Sequence, residues 1–599
     1  MTDIRRAGLV LAAVLLVVGS SRAENASTPL ADPVLDPPTL HSLGAYWIVK
    51  GDDNKNATIQ MAYRKVGASA WTKSMPMFRV EKGAHNGIRM KDKHQSKLVV
   101  PDDAWLFAGS VVLLTPNTDY ELQLSLTDPD GGNTERIVKC RTLLEPVAPA
   151  NMHVRHVAPG GGGGTGSESD PFKGLNAAQE AAKPGDLFLL HAGVYPGPWE
   201  LSKSGESGKP IIWRGAGDGE AVIEGNGTGN TITANDAHDV WFEKLSVRNS
   251  EWGICAKDAQ NIVIRRCHIY KINEGITAAG NRKEHCSGFF ISDNLIEGQF
   301  YPWLDCGPVG QHNKEWEKLW ETEWRGIELA GCGHEVCYNR VHNFKDALDV
   351  CPSRVTCSID FHNNDCSESN DDGIEMDYSE RNTRCFYNRF TNVFQGISVQ
   401  PVFGGPVYVF RNVIYNCAEE PFKMHNSPSG AIFFHNTVVK KDNPWAVWTS
   451  EPVRNTMQRN NLFIGTAANY AFECDPKMID CDFDYDGFGG GPWPKFLKWN
   501  GVKYDSLDQL KTGATSPCYK HGVVVDAANV FASGLHAPED RGVQFPNTKV
   551  DARLKAGCAA IDAGEVLPGF NDGFKGKAPD LGAYELGDEL PQYGPRPEK

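Results

Sequence analysis

The stretch NRFTNVFQGISVQPVFGGPVYVFRN, residues 388–412, begins and ends on asparagine and carries short runs of β-branched and aromatic residues. Similar stretches surround it, and in each one an asparagine precedes an apolar or cysteine residue by two positions. From residue 339 onward these asparagines recur at intervals of 24 or 25 residues. The series is Asn294, Asn339, Asn364, Asn388, Asn412, Asn436 and Asn461.

A fixed period of this length indicates stacked structural units. Each unit holds strands and turns with no helix between them, so we expect a parallel β-helix, a coil built of short strands. Asparagines at the same turn of successive coils can bond to one another and to the turn backbone. This arrangement leaves no inward amide without a partner.

Two further segments resemble parts of secreted, right-handed parallel β-helix proteins of the pectin-lyase-like group. DPFKGLNAAQEAAKPGDLFLLHAGVYPGPW, residues 170–199, is similar to the N-terminal cap, in which a short helix covers the open end of the coil. CAAIDAGEVLPGFNDGFKGKAPDLGAYELG, residues 558–587, is similar to the closing segment of that group. The resemblance covers about residues 150–590 and implies a right-handed coil.

Upstream, residues 34–145 alternate apolar and polar positions between turn signals, which predicts short strands. LTPNTDY, residues 114–120, resembles a corner motif of fibronectin type III domains, and Trp47 and Trp71 stand where that family keeps core aromatics. The resemblance implies a small β-sandwich, for which a spacer role is favoured over a binding role. The predicted fold class is all-β, a right-handed parallel β-helix solenoid preceded by a small β-sandwich.

The chain divides into four predicted parts. Residues 1–23 combine a basic start, a short apolar run and a small-x-Ala end, which is typical of a cleaved signal peptide. The fibronectin type III-like sandwich occupies 34–145. The β-helix occupies 150–480, with a helical cap at its start and an insertion at 281–324. Residues 481–599 form a C-terminal extension that is expected to pack on the end of the β-helix.

Charge and composition narrow the partners and the location. The net charge is −15, which argues against nucleic acid or an anionic membrane as a partner. No later run is apolar and long enough to span a membrane, so we expect a secreted or periplasmic protein. The sequence does not define the oligomeric state, and a monomer is compatible with it.

The 16 cysteines all lie at or after Cys140, and some of them can pair in an oxidising compartment. A disulfide between Cys518 and Cys558 is one candidate. Cys332, His334 and Cys337 carry donors that suit zinc, but inward packing or a disulfide is favoured for these cysteines.

A second register runs through the same coils, at segments such as GIEMD (373–377) and GISVQ (396–400). Side chains alternate faces along a strand, so apolar residues that point inward place their neighbours outward. The inward row is Ile254, Ile276, Ile327, Leu348, Ile374, Ile397, Phe422 and Val447. The first outward row is Cys255, Thr277, Glu328, Asp349, Glu375, Ser398, Lys423 and Trp448, and the second is Lys257, Ala279, Ala330, Cys351, Asp377, Gln400, His425 and Ser450.

Ionisable residues concentrate in the middle of these outward rows. Because adjacent coils lie about 4.8 Å apart, Glu328, Asp349 and Glu375 should stack as a ladder of carboxylates on an external face. Like charges at this spacing raise one another's pKa, as a general acid needs. The alternatives are a calcium site held by these three acids and an inert charged surface. The candidate catalytic residues are Asp346, Asp349, Asp371, Asp372, Glu375, Asp377, Lys423 and His425.

Tryptophans in the predicted insertion suggest contact with sugar rings, whose apolar faces stack on indoles. Trp316, Trp320 and Trp324 have the spacing of a helix buried against the coil, which leaves Trp303 as the better candidate for substrate contact. The predicted substrate-binding residues are Glu328, Gln395, Gln400, Trp303 and Trp448.

NDDGIEM (370–376), followed by FQGISVQ (394–400), resembles the polygalacturonase family of β-helix glycoside hydrolases. The resemblance matches Asp371 and Asp372 to the family's aspartate pair and Asp346 to its lone aspartate. Gln395 stands where the family has a histidine, and Lys423 lies near the family's basic motif, which here lacks its arginine.

These patterns favour a secreted glycoside hydrolase that cleaves a polysaccharide by carboxylate acid/base chemistry and needs no cofactor. One alternative is a Ca²⁺-dependent polysaccharide lyase, in which Lys423 or His425 abstracts a proton beside a uronate carboxylate and the acids hold the cation. The other is a non-catalytic glycan-binding protein. The acidic face favours the hydrolase, because it would repel a polyanion in the absence of calcium.

Overall fold

The computed structural model describes residues 25–84, 96–280, 283–299, 322, 324–513 and 516–598. The predicted signal peptide and most of the predicted tryptophan-rich stretch, including Trp303, Trp316 and Trp320, lie outside the described residues. Within the described part of the chain, no helix combines the length and the apolar character that a membrane span requires.

Two antiparallel sheets form the N-terminal β-sandwich. Its first sheet consists of Thr28–Pro29, Val34–Leu35, Leu43–Lys50, Phe78–Arg79 and Ala104–Val111, and its second of Thr58–Lys65, Thr72–Lys73, Asp119–Thr127 and Thr134–Arg141. Trp47 and Tyr120 lie in the core between the sheets, and the Tyr120 hydroxyl accepts a hydrogen bond from the Thr115 N–H at 3.0 Å. The expected core position of Trp71 is wrong, because its half-buried ring stacks under the Arg64 guanidinium, 4.2 Å away.

A right-handed parallel β-solenoid of about 11 turns follows the sandwich in the described part of the chain, which confirms the predicted fold class. Sheet 1 consists of the parallel strands His153–Ala158, Phe172–Lys173, Asp186–Leu190, Ile211–Gly215, His238–Glu243, Gln260–Arg265, Phe290–Ser292, Cys332–Cys337, Cys357–His362, Arg381–Phe386, Phe403–Phe410, Ser429–Phe434, Val453–Arg454, Met457–Arg459, Met478–Ile479 and Asp482–Asp484.

Sheet 2 wraps around the other two sides of the coil. Its parallel strands are Gly193–Pro196, Trp199–Glu200, Ala221–Glu224, Asn230–Thr233, Ser246–Arg248, Trp252–Cys255, His268–Ile272, Glu274–Thr277, Leu295–Gly298, Arg325–Leu329, Arg340–Phe344, Asp346–Val350, Asp365–Glu375, Arg389–Ser398, Val413–Cys417, Phe422–Lys423, Thr437–Val439, Leu462–Ile464, Gly487–Gly489 and Val523–Val524. Sheet 3 consists of Trp445–Val447, Tyr470–Cys474, Lys495–Trp499 and Val502–Tyr504. The pairing of sheet 2 therefore continues past residue 480, and the strand Leu295–Gly298 belongs to a regular coil rather than to an insertion.

Each middle coil contributes two segments to sheet 2, and a bend separates the first segment from the second. At this bend one residue per coil adopts the left-handed backbone conformation, which asparagine tolerates better than most residues. These residues include Asn343, Glu368, Asn392 and Asn416, with φ of 67°, 59°, 54° and 57°. Because of the bend, the second segments have an outer surface of their own. We call the surface formed by Arg325–Leu329, Asp346–Val350, the end of Asp365–Glu375, the end of Arg389–Ser398 and Phe422–Lys423 the site face.

The predicted asparagine ladder is present inside the solenoid. Each side-chain Nδ2 donates to the Oδ1 of the next asparagine at 2.9–3.0 Å, from Asn294 through Asn461. Each amide also donates to a backbone carbonyl, as Asn388 does to Phe361 O at 2.8 Å. The last rung is Asp486, whose Oδ1 accepts from Asn461 Nδ2 at 2.9 Å and whose Oδ2 accepts from Gln458 at 2.6 Å.

Short helices lie at both ends of the stacked apolar core. The helix Leu175–Ala181 buries Leu175 and Ala178 in the core, and the helix Leu507–Thr512 buries Leu507 and Leu510 in it. Two single turns of 3₁₀ helix span Lys283–His285 and Asn547–Lys549. The ends of the core are thus covered by side chains of the same chain.

A buried polar network fixes the sandwich against sheet 1. Asp360 pairs with the wholly buried Arg384 and accepts a hydrogen bond from Thr39 Oγ1 at 2.6 Å. Asp36 pairs with Arg381 at 2.9 Å. Since an unpaired buried charge is costly, these contacts couple the position of the sandwich to the solenoid.

The C-terminal segment packs along the outside of sheet 2, where Val525, Phe531 and Tyr584 share a core with outward residues of the late coils. Every cysteine within the described residues is a free thiol. Cys518 lies in the solenoid core, so the candidate disulfide with Cys558 is not formed.

Candidate functional site

The site face places the predicted rows in register. Leu348 pairs with Ile374, Ile374 with Ile397 and Ile397 with Phe422, and all four side chains are fully buried. Asp349, Glu375, Ser398 and Lys423 follow one another in the same way on the outward side. The alternation predicted for these strands is therefore confirmed, as far as Lys423.

The outward row is not a solvated surface, in contrast to the predicted external face. Asp349 is 3% exposed, Lys423 6% and Asp372 not at all, while Glu375 is partly buried. Ionised groups at this depth lose their hydration, and their charge must be compensated by ion pairs, protons or a bound cation.

A β-bulge brings two additional acids into the row. Ser369 pairs with Val393, whereas Asp372 pairs with Gln395, so one extra residue is accommodated on the strand Asp365–Glu375. Bulges redirect side chains and are frequent beside active sites. Directly after the bulge, Gly373 passes close to the next coil, where an added Cβ would lie 2.8 Å from the carbonyl oxygen of Gly396.

Four carboxyl groups meet at this bulge, and we call Asp346, Asp371, Asp372 and Glu375 the carboxylate cluster. One oxygen from each lies within 4.8 Å of the others. Asp346 Oδ1 accepts a hydrogen bond from the Asp372 N–H at 3.0 Å. Asp346 Oδ2, Asp371 Oδ1 and Asp372 Oδ1 are buried and have no hydrogen-bond partner among the described residues. Such oxygens are the ligands that Ca²⁺ prefers.

Lys423 lies against this cluster from two coils away. Its Nζ donates to Asp372 Oδ2 at 2.7 Å and lies 3.6 Å from Asp371 Oδ1. Burial alone would lower the pKa of Lys423, but Asp371 and Asp372 outweigh burial and raise the pKa well above its usual value. Without a further cation, the cluster therefore keeps Lys423 protonated.

Burial and mutual repulsion raise the pKa values of the acids. The pKa of Asp346 rises to about 6, first through burial and then through Asp371. Burial, followed by the charges of Asp346 and Asp349, raises the pKa of Glu375 well above its usual value. Perturbed carboxyls gathered in one place are typical of functional sites.

Arg325 engages two of the three predicted calcium ligands. It pairs with Asp349 and lies 3.9 Å from Glu328, which also accepts a hydrogen bond from Thr277 Oγ1 at 2.5 Å. Burial raises the pKa of Asp349 to about 8, although Arg325 opposes this effect. The structure thus groups Glu375 with Asp346, Asp371 and Asp372 rather than with Glu328 and Asp349.

On the other side of the cluster, Asp377 accepts hydrogen bonds from Ser398 Oγ at 2.8 Å and from the Gln400 N–H at 2.5 Å. Burial raises its pKa to about 7. Two predicted substrate-binding residues, Gln395 and Gln400, each have a buried Oε1 without a hydrogen-bond partner within the described residues.

The far end of the rows contains a residue that the sequence analysis missed. Glu420 lies two positions before Phe422, as Asp372 does before Ile374, so the same register identifies it. Its Oε1 contacts His425 Nε2 at 3.0 Å and accepts from the Trp448 N–H at 2.8 Å. Trp448 is 39% exposed, as a residue that contacts substrate would be.

The predicted alternatives for Cys332, His334 and Cys337 resolve in favour of packing. His334 is fully buried, with Nδ1 accepting from the Phe289 N–H at 3.1 Å and Nε2 donating to Ala330 O at 2.9 Å. Both imidazole nitrogens are therefore occupied, and His334 is not available to zinc.

Comparisons with known proteins give limited likenesses. No protein-family model matches the sequence. Over 90 residues, 14% of this chain, it is 29% identical to the uncharacterized protein YwoF of Bacillus subtilis (strain 168), and the chain spans only 19% of that relative.

Similar solved structures include pectate lyase Pel9A, with 17% identity, a TM-score of 0.39 and coverage of 73% of this chain and 97% of that chain. An alginate lyase from Paenibacillus sp. str. FPU-7 has 16% identity, a TM-score of 0.30 and coverage of 43% and 90%. The catalytic unit of the GH87 alpha-1,3-glucanase from Streptomyces thermodiastaticus strain HF3-3 has 12% identity, a TM-score of 0.38 and coverage of 83% and 94%. Similarity this low does not carry the activity of any of these enzymes over to the present chain.

Proposed function

We propose that this chain is a Ca²⁺-dependent polysaccharide lyase that cleaves a uronate-containing polymer by β-elimination. The observation that carries the proposal is the carboxylate cluster, in which three buried oxygens have no hydrogen-bond partner among the described residues and against which Lys423 lies. The lyase, an alternative at the level of sequence, now ranks above the hydrolase. Export by residues 1–23 and the resulting secreted or periplasmic location remain proposals.

The donor set suits a hard divalent cation. All four side chains offer carboxylate oxygens and none offers sulfur or nitrogen, which favours Ca²⁺ over the softer transition metals. Asp346, Asp371, Asp372 and Glu375 would hold it. Bound there, Ca²⁺ would neutralise a uronate carboxylate and make the proton on the adjacent ring carbon easier to remove.

Lys423 is the proposed base, because the proton to be removed lies on the carbon next to the carboxylate. A base must reach that proton directly, and Lys423 is the amine in contact with the cluster. Cation binding would offset the negative charge that holds the proton on Lys423 and so favour its neutral form. His425 contacts Glu420 instead and is the less suitable of the two predicted bases.

A panel of polysaccharides tests the proposal, with polygalacturonate and alginate as polyuronates and a neutral glucan as comparison. Each is incubated with Ca²⁺ or with EDTA, and both reducing ends and the ultraviolet absorbance of an unsaturated uronate are followed. We expect Ca²⁺-dependent absorbance on a polyuronate only. Lys423→Ala should lose about 10³-fold or more in kcat, within the range for a general base.

Calcium binding separates the two roles. By calorimetry, Glu375→Gln should bind Ca²⁺ more weakly, whereas Lys423→Ala should bind it at least as tightly as the wild type, because a competing positive charge has been removed. Lys495→Ala, which removes a surface lysine paired with Asp505, is the matched control and should change neither property. Unchanged elimination in Lys423→Ala would refute the assignment of the base.

A glycoside hydrolase is the second candidate function. It is favoured by Asp349 and Asp377, whose pKa values of about 8 and about 7 suit a general acid near neutral pH. The same panel distinguishes it, since a hydrolase releases reducing ends without the ultraviolet signal. Binding without either signal would instead indicate a glycan-binding protein.

A further inference from the structure

We propose that His425 donates the proton to the departing glycosidic oxygen and that Glu420 is the residue that positions it. This inference rests on the proposed lyase function and adds the group that completes the elimination. It begins from the strand Phe422–Lys423 and the two residues that follow it, where Phe422 and Met424 are fully buried in the core. His425 follows Met424 directly and is only partly buried, so Lys423 and His425 stand on either side of a core residue and both lie outside the apolar core.

Elimination breaks two bonds on neighbouring carbons. Lys423 takes the proton from the carbon beside the carboxylate, and the electrons of that C–H bond form the new double bond. The C–O bond on the next carbon then breaks, and its electron pair leaves with the oxygen. That oxygen needs a proton, which His425 supplies. Lys423 has gained one proton and His425 has lost one, so exchange with water restores both groups.

The surroundings of His425 suit a proton donor. Its side chain is 26% exposed, and its Nε2 lies 3.0 Å from Glu420 Oε1, a carboxylate that is only 4% exposed. The Glu420 carboxylate can accept the Nε2 hydrogen of His425 and so fixes the orientation of the imidazole ring. Nδ1 has no hydrogen-bond partner among the described residues and is left for a ligand.

Glu420 has a carboxylate oxygen that can still accept a hydrogen bond, and it contacts a second residue besides His425. Its Oε2 is buried without a hydrogen-bond partner within the described part of the chain. Its Oε1 also accepts from the backbone N–H of Trp448, so Glu420 contacts both His425 and the residue that carries the exposed indole in the next coil. The sugar that departs with the oxygen would therefore lie beside Trp448, on the side of Lys423 away from Asp349.

The test compares leaving groups that need a proton with one that does not. The full-length chain with Ca²⁺ is assayed on the polyuronate that it cleaves and on a uronate carrying 4-nitrophenol at the same position. On the polymer, His425→Ala should lose about 100-fold or more in kcat, as general acids contribute. On the nitrophenol substrate the loss should be at most a few-fold, because that oxygen departs without protonation.

Further readouts separate a catalytic role from a structural one. Added imidazole should partly restore His425→Ala on the polymer, and calorimetry should show Ca²⁺ binding unchanged. Glu420→Gln, which keeps a hydrogen-bond acceptor but removes the charge, should lose activity in the same substrate-dependent pattern but by less. His521→Ala is the matched control, since His521 contacts Asp484 at 2.7 Å outside the site face.

Equal losses on both substrates would overturn the proposal, because they would indicate that His425 only shapes the site. Wild-type rates in His425→Ala would also overturn it and leave the lyase assignment standing. If the wild-type chain formed no unsaturated uronate at all, the lyase function itself would fail and the role of His425 would fall with it.

Discussion

The asparagine ladder and the carboxylate cluster are both stacks of polar side chains repeated at the spacing of the coils, yet they differ in what they leave unpaired. In the ladder each buried amide donates forward at 2.9–3.0 Å and also binds a backbone carbonyl. In the cluster, three buried carboxylate oxygens have no hydrogen-bond partner among the described residues.

The difference follows from the chemistry of the two side chains. An amide both donates and accepts, so stacked asparagines satisfy one another, whereas an ionised carboxylate only accepts. A stack of amides is therefore complete within the protein. A stack of carboxylates requires protons or a cation from outside the protein, so it is suited to bind a cation.

Replacing an amide of the ladder by a carboxylate should have the largest effect on the free energy of unfolding. Asn388→Asp keeps the shape but removes the donations to Asn412 and Phe361 and buries a charge. We expect the unfolding free energy to fall by about 3–5 kcal/mol, as for an uncompensated buried charge. Chemical denaturation measures the change. The control is Asn226→Asp at an exposed site where the side-chain oxygen only accepts, and it should change little. Equal stability of the two variants would contradict the comparison.

The stability of the protein in EDTA, without bound Ca²⁺, should depend on pH. The folded-state pKa values of Asp346, Asp377 and Asp349 are raised to about 6, 7 and 8. The folded protein then holds protons that the unfolded chain has released, so stability is greatest at low pH and falls as pH rises toward these values. In EDTA we expect a loss of about 2 kcal/mol or more between about pH 5 and about pH 8. Ca²⁺ should reduce the slope; a flat profile in EDTA would refute the prediction.

Replacing a carboxylate of the cluster by an amide, in Asp346→Asn, should stabilise the protein in EDTA. The substitution removes one negative charge from the cluster and keeps the acceptor for the Asp372 N–H. We expect a gain of about 1 kcal/mol in EDTA and loss of most of the stabilisation by Ca²⁺. Melting temperatures with and without Ca²⁺ measure both. A less stable variant in EDTA would show that repulsion in the cluster is already relieved.

The smallest effect is expected at the end of the first outward row. Trp448→Ala removes an exposed indole that lies beyond the cluster. If the indole stacks on substrate, KM should rise roughly five-fold, about 1 kcal/mol, with kcat nearly unchanged. Stability should change by less than about 0.5 kcal/mol. An unchanged KM would remove Trp448 from the binding site.

The sequence was sufficient for the features that repeat. The interval between asparagines predicted the ladder from Asn294 to Asn461, and alternation predicted that Asp349, Glu375, Ser398 and Lys423 share a row. Both predictions rest on periodicity, and the same pattern recurs in each coil.

What the sequence did not predict is local. The bulge between Ser369 and Asp372 breaks alternation, so the row of Glu328, Asp349 and Glu375 proposed for calcium did not include Asp346, Asp371 and Asp372. The burial of the row and the ion pair of Arg325 with Asp349 also depend on side-chain packing, which periodicity does not report. The position of Glu420 could have been inferred by extending the register two positions before Phe422.

Asp486 gives the ladder a direction and an end. Each asparagine of the ladder donates an Nδ2 hydrogen to the side chain in the next coil and therefore needs an acceptor there. Asp486 accepts from Asn461 and from Gln458, and its carboxylate needs no acceptor of its own. The ladder can therefore end at Asp486 without leaving a buried amide hydrogen unpaired. Beyond it the coil is closed by other parts of the chain, because Gly487–Gly489 pairs with Val523–Val524 and the helix Leu507–Thr512 buries Leu507 and Leu510 in the core.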